Sequence, residues 1–281
     1  MKRATVFAHY SNDNIIEDYI VFYIKNLLKI SENIIFVSDS DLSEKELSKI
    51  NQFVKYSIAQ KHGEYDFGSY KRGYEYLDKN NLLSDYDEFV LANDSCYAPI
   101  FPFETMFEVM SKKNVDFWGN TANCKKQYNN INHIQSYFVV FKKEVFLSDV
   151  FKNFIMSVKK QDRKERIITK YECGLTQTLS DAGFNWDVYC EFSKNHKDSH
   201  FLYYKELIDI DKSPFLKRKI PILSTKLLTY LCKHKHFVNK YTNYDYTLIK
   251  ECPNRSFIKE FFLTLWKIYR YLSERMMNNY L

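Results

Sequence analysis

The sequence predicts an α/β fold: a Rossmann-like, mostly parallel central sheet with helices on its faces, plus a basic helical extension at its C-terminal end. Three observations lead there. The N-terminal part alternates short apolar runs with amphipathic segments in the order β-α-β-α, which favours a parallel sheet covered on both faces. Several of these runs end abruptly in Asn, Asp or Ser, as buried strands do when they bring polar groups to a sheet edge. Positive charge is concentrated in the last stretch of the chain, where Lys and Arg interleave with aromatic and aliphatic residues.

Element by element, Thr5–Ala8 reads as a first buried strand running into His9 and Tyr10. Asn14 opens a helix, with Glu17 in capping-box spacing and Ile15, Ile16, Tyr19, Ile20, Tyr23, Ile24, Leu27 and Leu28 at helical period. Ile34–Val37 is a second strand ending in Ser38, Asp39 and Ser40, and Leu42–Phe53 is predicted helical. Gly63–Leu77 begins as a loop and becomes a helix. Phe89–Ala92 is a buried strand that delivers Asn93, Asp94 and Ser95, with Pro99 soon after and a helix over Phe103–Met110. Val115–Trp118 and Ile134–Phe141 are β-prone. Ile167–Leu179 is predicted helical with Gly183 as a stop, and Trp186–Tyr189 is a last strand.

Composition narrows the chemistry. The chain has 281 residues, enough for a substantial core, with 45% hydrophobic and 27% charged residues, as soluble globular proteins do. Its 23 Tyr and 23 Phe serve to fill cores and to line sites for ring-shaped ligands. Only six Gly occur, and no GxGxxG or GxxxxGK[ST] string, which argues against Rossmann dehydrogenases and P-loop enzymes. The six Cys are scattered without a CxxC pair, and Met1–Tyr10 turns polar too quickly for a signal peptide. An intracellular, cytoplasmic protein with reduced thiols is the expectation, without a membrane-spanning segment.

Residues 212–281 hold 14 Lys and Arg against 4 Asp and Glu, a net +10, which leaves −4 for residues 1–211 out of the total of +6. Two parts follow: 1–212 as the main domain and 213–281 as a basic amphipathic extension. In the latter, Phe257, Phe261, Phe262, Leu265, Trp266, Tyr269 and Leu272 form an apolar face beside Lys259, Lys267, Arg270 and Arg275. Such a helix suits an anionic membrane surface, each basic residue near the lipid contributing about 1 kcal/mol. An ordinary helix packed on the main domain has the same pattern. Nucleic-acid binding lacks a helix-turn-helix, zinc-finger or RNP-type signature.

The strings FVSDS (36–40), YDFGSYKRG (65–73), LANDSCYAP (91–99), DFWGNT (116–121), HIQSYFVVF (133–141) and YECGLT (171–176) occur in one order. With them the chain, from about residue 5 to 220, resembles the rhamnan-synthesis protein F family of bacterial glycosyltransferases, which assemble surface polysaccharides such as capsule or lipopolysaccharide. The resemblance implies a type A glycosyltransferase fold and a nucleoside diphosphate sugar as donor, with rhamnose as one candidate. The implied acceptor is a growing polysaccharide or lipid-linked oligosaccharide at the inner face of the cytoplasmic membrane. One departure stands out: where the family shows Arg, Asn and Gly upstream of Asp66, this chain has Gln60, His62 and Glu64.

Glycosyl transfer builds negative charge on a departing diphosphate, which a divalent ion or basic residues must neutralise, and needs a carboxylate to take the acceptor proton. Asp94 is the candidate for the ion, Mn2+ or Mg2+, with Asn93 and Ser95 orienting it. It stands as a single carboxylate where many type A enzymes carry Asp-x-Asp, so Lys71 or Arg72 are alternative sources of charge. Glu172 is the first candidate for the base and Asp116 the second, although a helix-initiating Glu and a turn Asp would look the same. One apparent base and no second nucleophile point to inversion by single displacement.

For the donor nucleotide, Asp39, Asp66 with Gly68 permitting close approach, His9 and Tyr10 are candidates. Trp118, His133, Gln135 and Ser136 are candidates for sugar or acceptor hydroxyls, and His196 for a late metal or phosphate ligand. A turn-forming Asp and a structural His are the plainer explanations. A non-catalytic module that holds carbohydrate on an aromatic face is the second class of function compatible with these residues.

Overall fold

A computed structural model of the chain describes residues 1–124, 132–196, 199–220, 238–240 and 242–249. A seven-stranded sheet runs through it. Its strands are β1 (Arg3–His9), β2 (Asn33–Ser38), β3 (Tyr56–Ala59), β4 (Glu88–Asn93), β6 (Phe117–Gly119), β9 (Phe138–Lys142) and β10 (Trp186–Val188). The order is β10-β6-β9-β4-β1-β2-β3, and every neighbouring pair is parallel except the two made by β9. The shorter strands pair outside it: β7 (Ala122–Cys124) with β8 (Asn132–Ile134), and β5 (Cys96–Tyr97) with β11 (Leu216–Lys217), both antiparallel. The expected α/β, mostly parallel architecture is therefore present.

The central strands read as unbroken apolar runs because both of their faces are covered. On β1 and β4, Phe7, Val90 and Ala92 face a core shared with α1 (Asp18–Leu27) and α4 (Phe103–Ser111). Ala4, Val6, Ala8, Phe89 and Leu91 face the other core, shared with α3 (Tyr65–Lys79) and the helices Asp149–Met156 and Gly174–Asp181. Much of the aromatic content is spent here. Tyr19, Tyr23, Tyr70, Tyr74, Tyr97 and Tyr171 are among the largest fully buried side chains. Several satisfy their hydroxyls on the backbone, Tyr70 on Ser136 O at 2.8 Å and Tyr74 on Phe146 O at 2.9 Å, as burial of a polar tip requires.

Differences from the expected elements have local causes. Helix α1 begins at Asp18, four residues after Asn14, because Asn14 sits at φ 52°, outside the helical region; Glu17 precedes the helix without a side-chain capping bond. The second helix shrinks to Glu44–Ser48, α2, capped by Ser43 Oγ on Glu46 N. Strand β3 is an edge strand of half-exposed residues, too weakly apolar to stand out in the sequence. The β-prone run Ile134–Phe141 divides, since Gln135–Tyr137 form a turn between β8 and β9. The expected single helix over Ile167–Leu179 is interrupted: Ile168–Cys173 form a π-helical stretch before an α-helix resumes at Gly174.

Residues 213–217 are part of the same packed unit. Ser213, Phe215 and Leu216 are buried, and Phe215 lies against Tyr23, Phe103, Tyr137 and Phe138. The amphipathic face expected over Phe257–Leu272 lies outside the described residues. Among the described residues no helix is long and apolar enough to cross a membrane.

Candidate active site at the sheet edge

The parallel strands β1, β2 and β4 end side by side, which places His9 against Ser38 and Ala8 against Asn93 in register. Because β9 runs antiparallel to β4, the turn that precedes it meets the same edge. Asn93 N donates to Tyr137 O at 3.1 Å. Two sequence motifs far apart in the chain, LANDS and HIQSYF, are thus joined by the sheet itself. Ligands of open α/β sheets bind beyond this edge.

Asp94 is buried at the exit of β4. Its carboxylate accepts from Tyr10 N at 3.1 Å and lies 3.5 Å from Arg218 Nη1, while Tyr19 OH donates to its carbonyl at 3.1 Å. Burial raises the Asp94 carboxyl, with Arg218 and the Tyr10 amide pulling the other way, to about 6. Asn93 Nδ2 donates to Asp66 Oδ2 at 2.9 Å, and Ser95 N and Oγ both donate to Asn93 Oδ1. His9 stands beside them with Nδ1 2.9 Å from Ser38 Oγ. Burial, aided by the nearby Arg218, lowers its imidazole to about 4, so it is neutral at pH 7. The Tyr10 side chain is exposed, and only its backbone joins the group.

A second cluster lies across the turn before β9. Ser136 Oγ donates to Glu172 Oε2 at 3.3 Å, and His133 Nε2 is 3.7 Å from Glu172 Oε1, an ion-pair rather than a hydrogen-bond distance. His133 Nδ1 is 3.5 Å from Cys173 Sγ. Burial alone would lower the His133 imidazole, but Cys173 and Glu172 beside it raise it to about 10. Glu172 and Cys173 both belong to the π-helical stretch and both contact His133. Gln135 is held by Thr121 Oγ1 at 2.9 Å and approaches His200 Nε2 at 3.4 Å.

The remaining candidates are placed elsewhere or are engaged in structure. Asp116 precedes β6 level with Lys142 and Glu88, at the opposite end of the sheet from Asn93, and its carboxylate accepts from Asn185 N at 2.8 Å. Trp118 is in the core, 4% exposed, edge-on to Phe107 at 5.0 Å. Asp39 accepts from His62 N and Gly63 N at 2.6 and 2.8 Å, so it shapes the turn where Gly63 takes φ 69°. A Cβ on Gly68 would stand 2.3 Å from Glu64 Cβ, so its smallness serves the α3 entry. Lys71 Nζ donates to Val158 O, and Arg72 pairs with Glu64 at 2.6 Å; neither reaches the Asp94 group. His196 stacks on Phe192 at 3.8 Å with Nδ1 2.8 Å from Phe192 O.

The groups that do gather include two absent from the expectation. Strand β11 pairs with β5, Leu216 to Tyr97 and Lys217 to Cys96, and Arg218 N donates to Ser95 O at 3.0 Å. This lays Lys217 Nζ 3.0 Å from Ser95 Oγ and 3.8 Å above the Tyr137 ring, and Arg218 Nη2 3.0 Å from Glu17 Oε2. The only sequence signal was the cluster Lys217, Arg218 and Lys219, which reads as ordinary surface charge.

These groups do not make a donor set for a divalent ion. Asp94 has a guanidinium beside it that also pairs with Glu17, Asp66 Oδ2 accepts from Asn93, and the oxygens of Asn93 and Ser95 are taken up in bonds to each other and to Lys217. Among the described residues no cluster of three or more His, Cys, Asp or Glu is arranged to hold a metal.

Comparison with known proteins is consistent with the motifs. The family described as rhamnan synthesis protein F matches residues 34–276. An uncharacterised protein y4gN of Sinorhizobium fredii is 26% identical over 161 residues, covering 57% of this chain and 42% of the relative. The virulence protein VirA of Vibrio anguillarum is 28% identical over 165 residues, 58% of this chain and 50% of the relative. The chain thus spans about half the length of these curated relatives. Among solved structures, core-mannan synthase A of Aspergillus fumigatus in an Mn/GDP form is 10% identical with a TM-score of 0.34, over 54% of this chain and 62% of that one. A cytidylyltransferase of Leptospira borgpetersenii is 13% identical with a TM-score of 0.43, over 87% of this chain and all of that one.

Proposed function

The chain belongs to the rhamnan synthesis protein F family, and from that premise we propose that it is a glycosyltransferase that moves a sugar from a nucleoside diphosphate donor to a growing surface polysaccharide. The observation that carries the reading is the convergence at one sheet edge of the Asp66–Asn93–Asp94 group with the Glu172–His133–Ser136 group. The second suits a proton-accepting carboxylate, and the first, with Arg218 and Lys217 beside it, lies where a nucleotide diphosphate is bound in open α/β sheets.

In the proposed reaction, Glu172 takes the proton of the acceptor hydroxyl as its oxygen bonds to the anomeric carbon of the donor. The bond from that carbon to the diphosphate breaks in the same displacement, so the configuration inverts. His133, 3.7 Å away, gives Glu172 a counter-charge, and the Ser136 hydroxyl donates to it and fixes its orientation. Developing charge on the diphosphate is met at the β4 edge. Rhamnose is one candidate sugar, another hexose or deoxyhexose being the alternative, and the basic C-terminal region is the candidate for contact with an anionic membrane surface on the cytoplasmic side.

Incubating the purified chain with a panel of nucleotide sugars, dTDP-rhamnose included, tests this. Slow release of nucleoside diphosphate from one donor, accelerated by a polysaccharide acceptor, is the expected result. A chain that neither binds nor hydrolyses any of them is a carbohydrate-holding module instead.

A further inference from the structure

We propose that Arg218 and Lys217 supply the positive charge for the donor diphosphate in the place of a divalent ion, so that the site binds its nucleotide without metal. The inference rests on the nucleotide-sugar reading above and deepens it by naming the groups that take the diphosphate.

Register is the first argument. Pairing of β11 with β5 and the bond from Arg218 N to Ser95 O fix both cations over the Asn93–Asp94–Ser95 turn through the backbone, not through flexible side chains alone. Side-chain contacts then orient them. Arg218 spans Asp94 Oδ2 and Glu17 Oε2 at 3.5 and 3.0 Å, with its guanidinium carbon 4.8 Å from the Tyr19 ring centre. Lys217 rests on the Tyr137 ring and on Ser95 Oγ.

Chemistry is the second. An ion bound to Asp94 would sit about 2.0–2.6 Å from its oxygen, in the space next to the Arg218 guanidinium, where two cations would repel. A guanidinium offers a planar fork of donors suited to phosphate oxygens, and a lysine adds a point charge. The Asp94 contacts of Arg218 are long, at 3.4 and 3.5 Å, and its Nε is buried without a hydrogen-bond partner among the described residues. The side chain keeps 27% exposure, so a ligand at the sheet edge can reach it.

Titration calorimetry of GDP, UDP and dTDP into the full chain, in EDTA and again with Mn2+ or Mg2+, tests the assignment. One diphosphate is expected to bind in EDTA, with its Kd changed by less than about twofold on adding either metal. Arg218→Gln and Lys217→Gln are each expected to weaken it by roughly tenfold or more, and Arg218→Lys to recover part of the loss. Unfolding midpoints near the wild-type value identify variants that fold, and Arg218→Lys and Lys217→Gln keep the test open should Arg218→Gln not fold. Binding that appears only with metal, or that is unchanged in all the variants, overturns the assignment while leaving the nucleotide-sugar reading intact. Absence of binding by all three diphosphates under both conditions overturns that reading and this one with it.

Discussion

His133 Nε2 lies 3.7 Å from Glu172 Oε1, joining a fully buried imidazole on a short strand to a partly exposed carboxylate in a π-helical stretch. The two come from motifs that are distant in sequence, and the pair gives the proposed base a fixed counter-charge.

Replacing Glu172 with Gln is therefore expected to lower the transfer rate by about 10²–10⁴-fold. Donor affinity, measured by calorimetry, should stay within about threefold, because Glu172, held by Ser136 and His133, is proposed to act on the acceptor proton and not on the diphosphate. Loss of binding with turnover of bound donor retained would assign Glu172 to the donor instead.

The same pair has a signature in alkaline solution. The folded His133 imidazole is raised to about 10 against an ordinary value near 6.5. Folding therefore gains stability from its charge below pH 6.5 and loses that gain as pH rises toward 10. Unfolding midpoints should fall between pH 7 and 9.5 in the wild type, and Glu172→Gln should flatten that fall. An unchanged slope would show that Glu172 does not hold the His133 charge.

His9 and Asp94 work against each other on the acid side. His9 is lowered to about 4, so as pH falls from 6.5 it resists protonation in the fold and stability is lost, up to about 3 kcal/mol. Asp94 is raised to about 6, so over the same fall its protonation returns stability. Asp94→Asn removes the second effect. Denaturation at pH 7 and pH 4.5 should show a larger acid loss in this variant than in the wild type.

Packing makes a prediction independent of chemistry. On α3, a Cβ at Gly73 would meet Val6 Cγ1 and Cγ2 at 2.4 and 2.5 Å, where the helix crosses β1. Gly73→Ala is expected to cost about 1–3 kcal/mol by overpacking, read as a lower urea midpoint. Combining it with Val6→Ala should recover part of the loss.

Much of the fold was legible because doubly buried strands leave unbroken apolar runs; Phe89–Ala92 is wholly buried and the observed β4 extends it by one residue at each end. Strand β3 was not, since a half-exposed edge leaves no such run. Of the candidates read from the motifs, Asp66, Asn93 and Asp94 lie together in the structure, and His133, Ser136 and Glu172 lie together. Asp116 and Trp118 share one equally good motif, yet strand direction sends Asp116 to the far edge and pleat sends Trp118 into the core. Direction and pleat become visible only once β6 is known to run parallel to β4, both of them antiparallel to β9. Arg218 escaped because its meaning depends on a two-residue strand pairing with residues more than a hundred positions earlier.

That pairing also bears on synthesis. Arg218 and Asp94 are 124 positions apart, so a chain emerging from the ribosome exposes the acidic turn long before its cationic partners exist. Until residue 218 is free to dock, the Asp94 carboxylate lacks the guanidinium that lies 3.5 Å from it in the folded chain. If Arg218 and Lys217 take the diphosphate as proposed, fragments cut before Leu216 would keep the strings from FVSDS to YECGLT and bind the donor poorly.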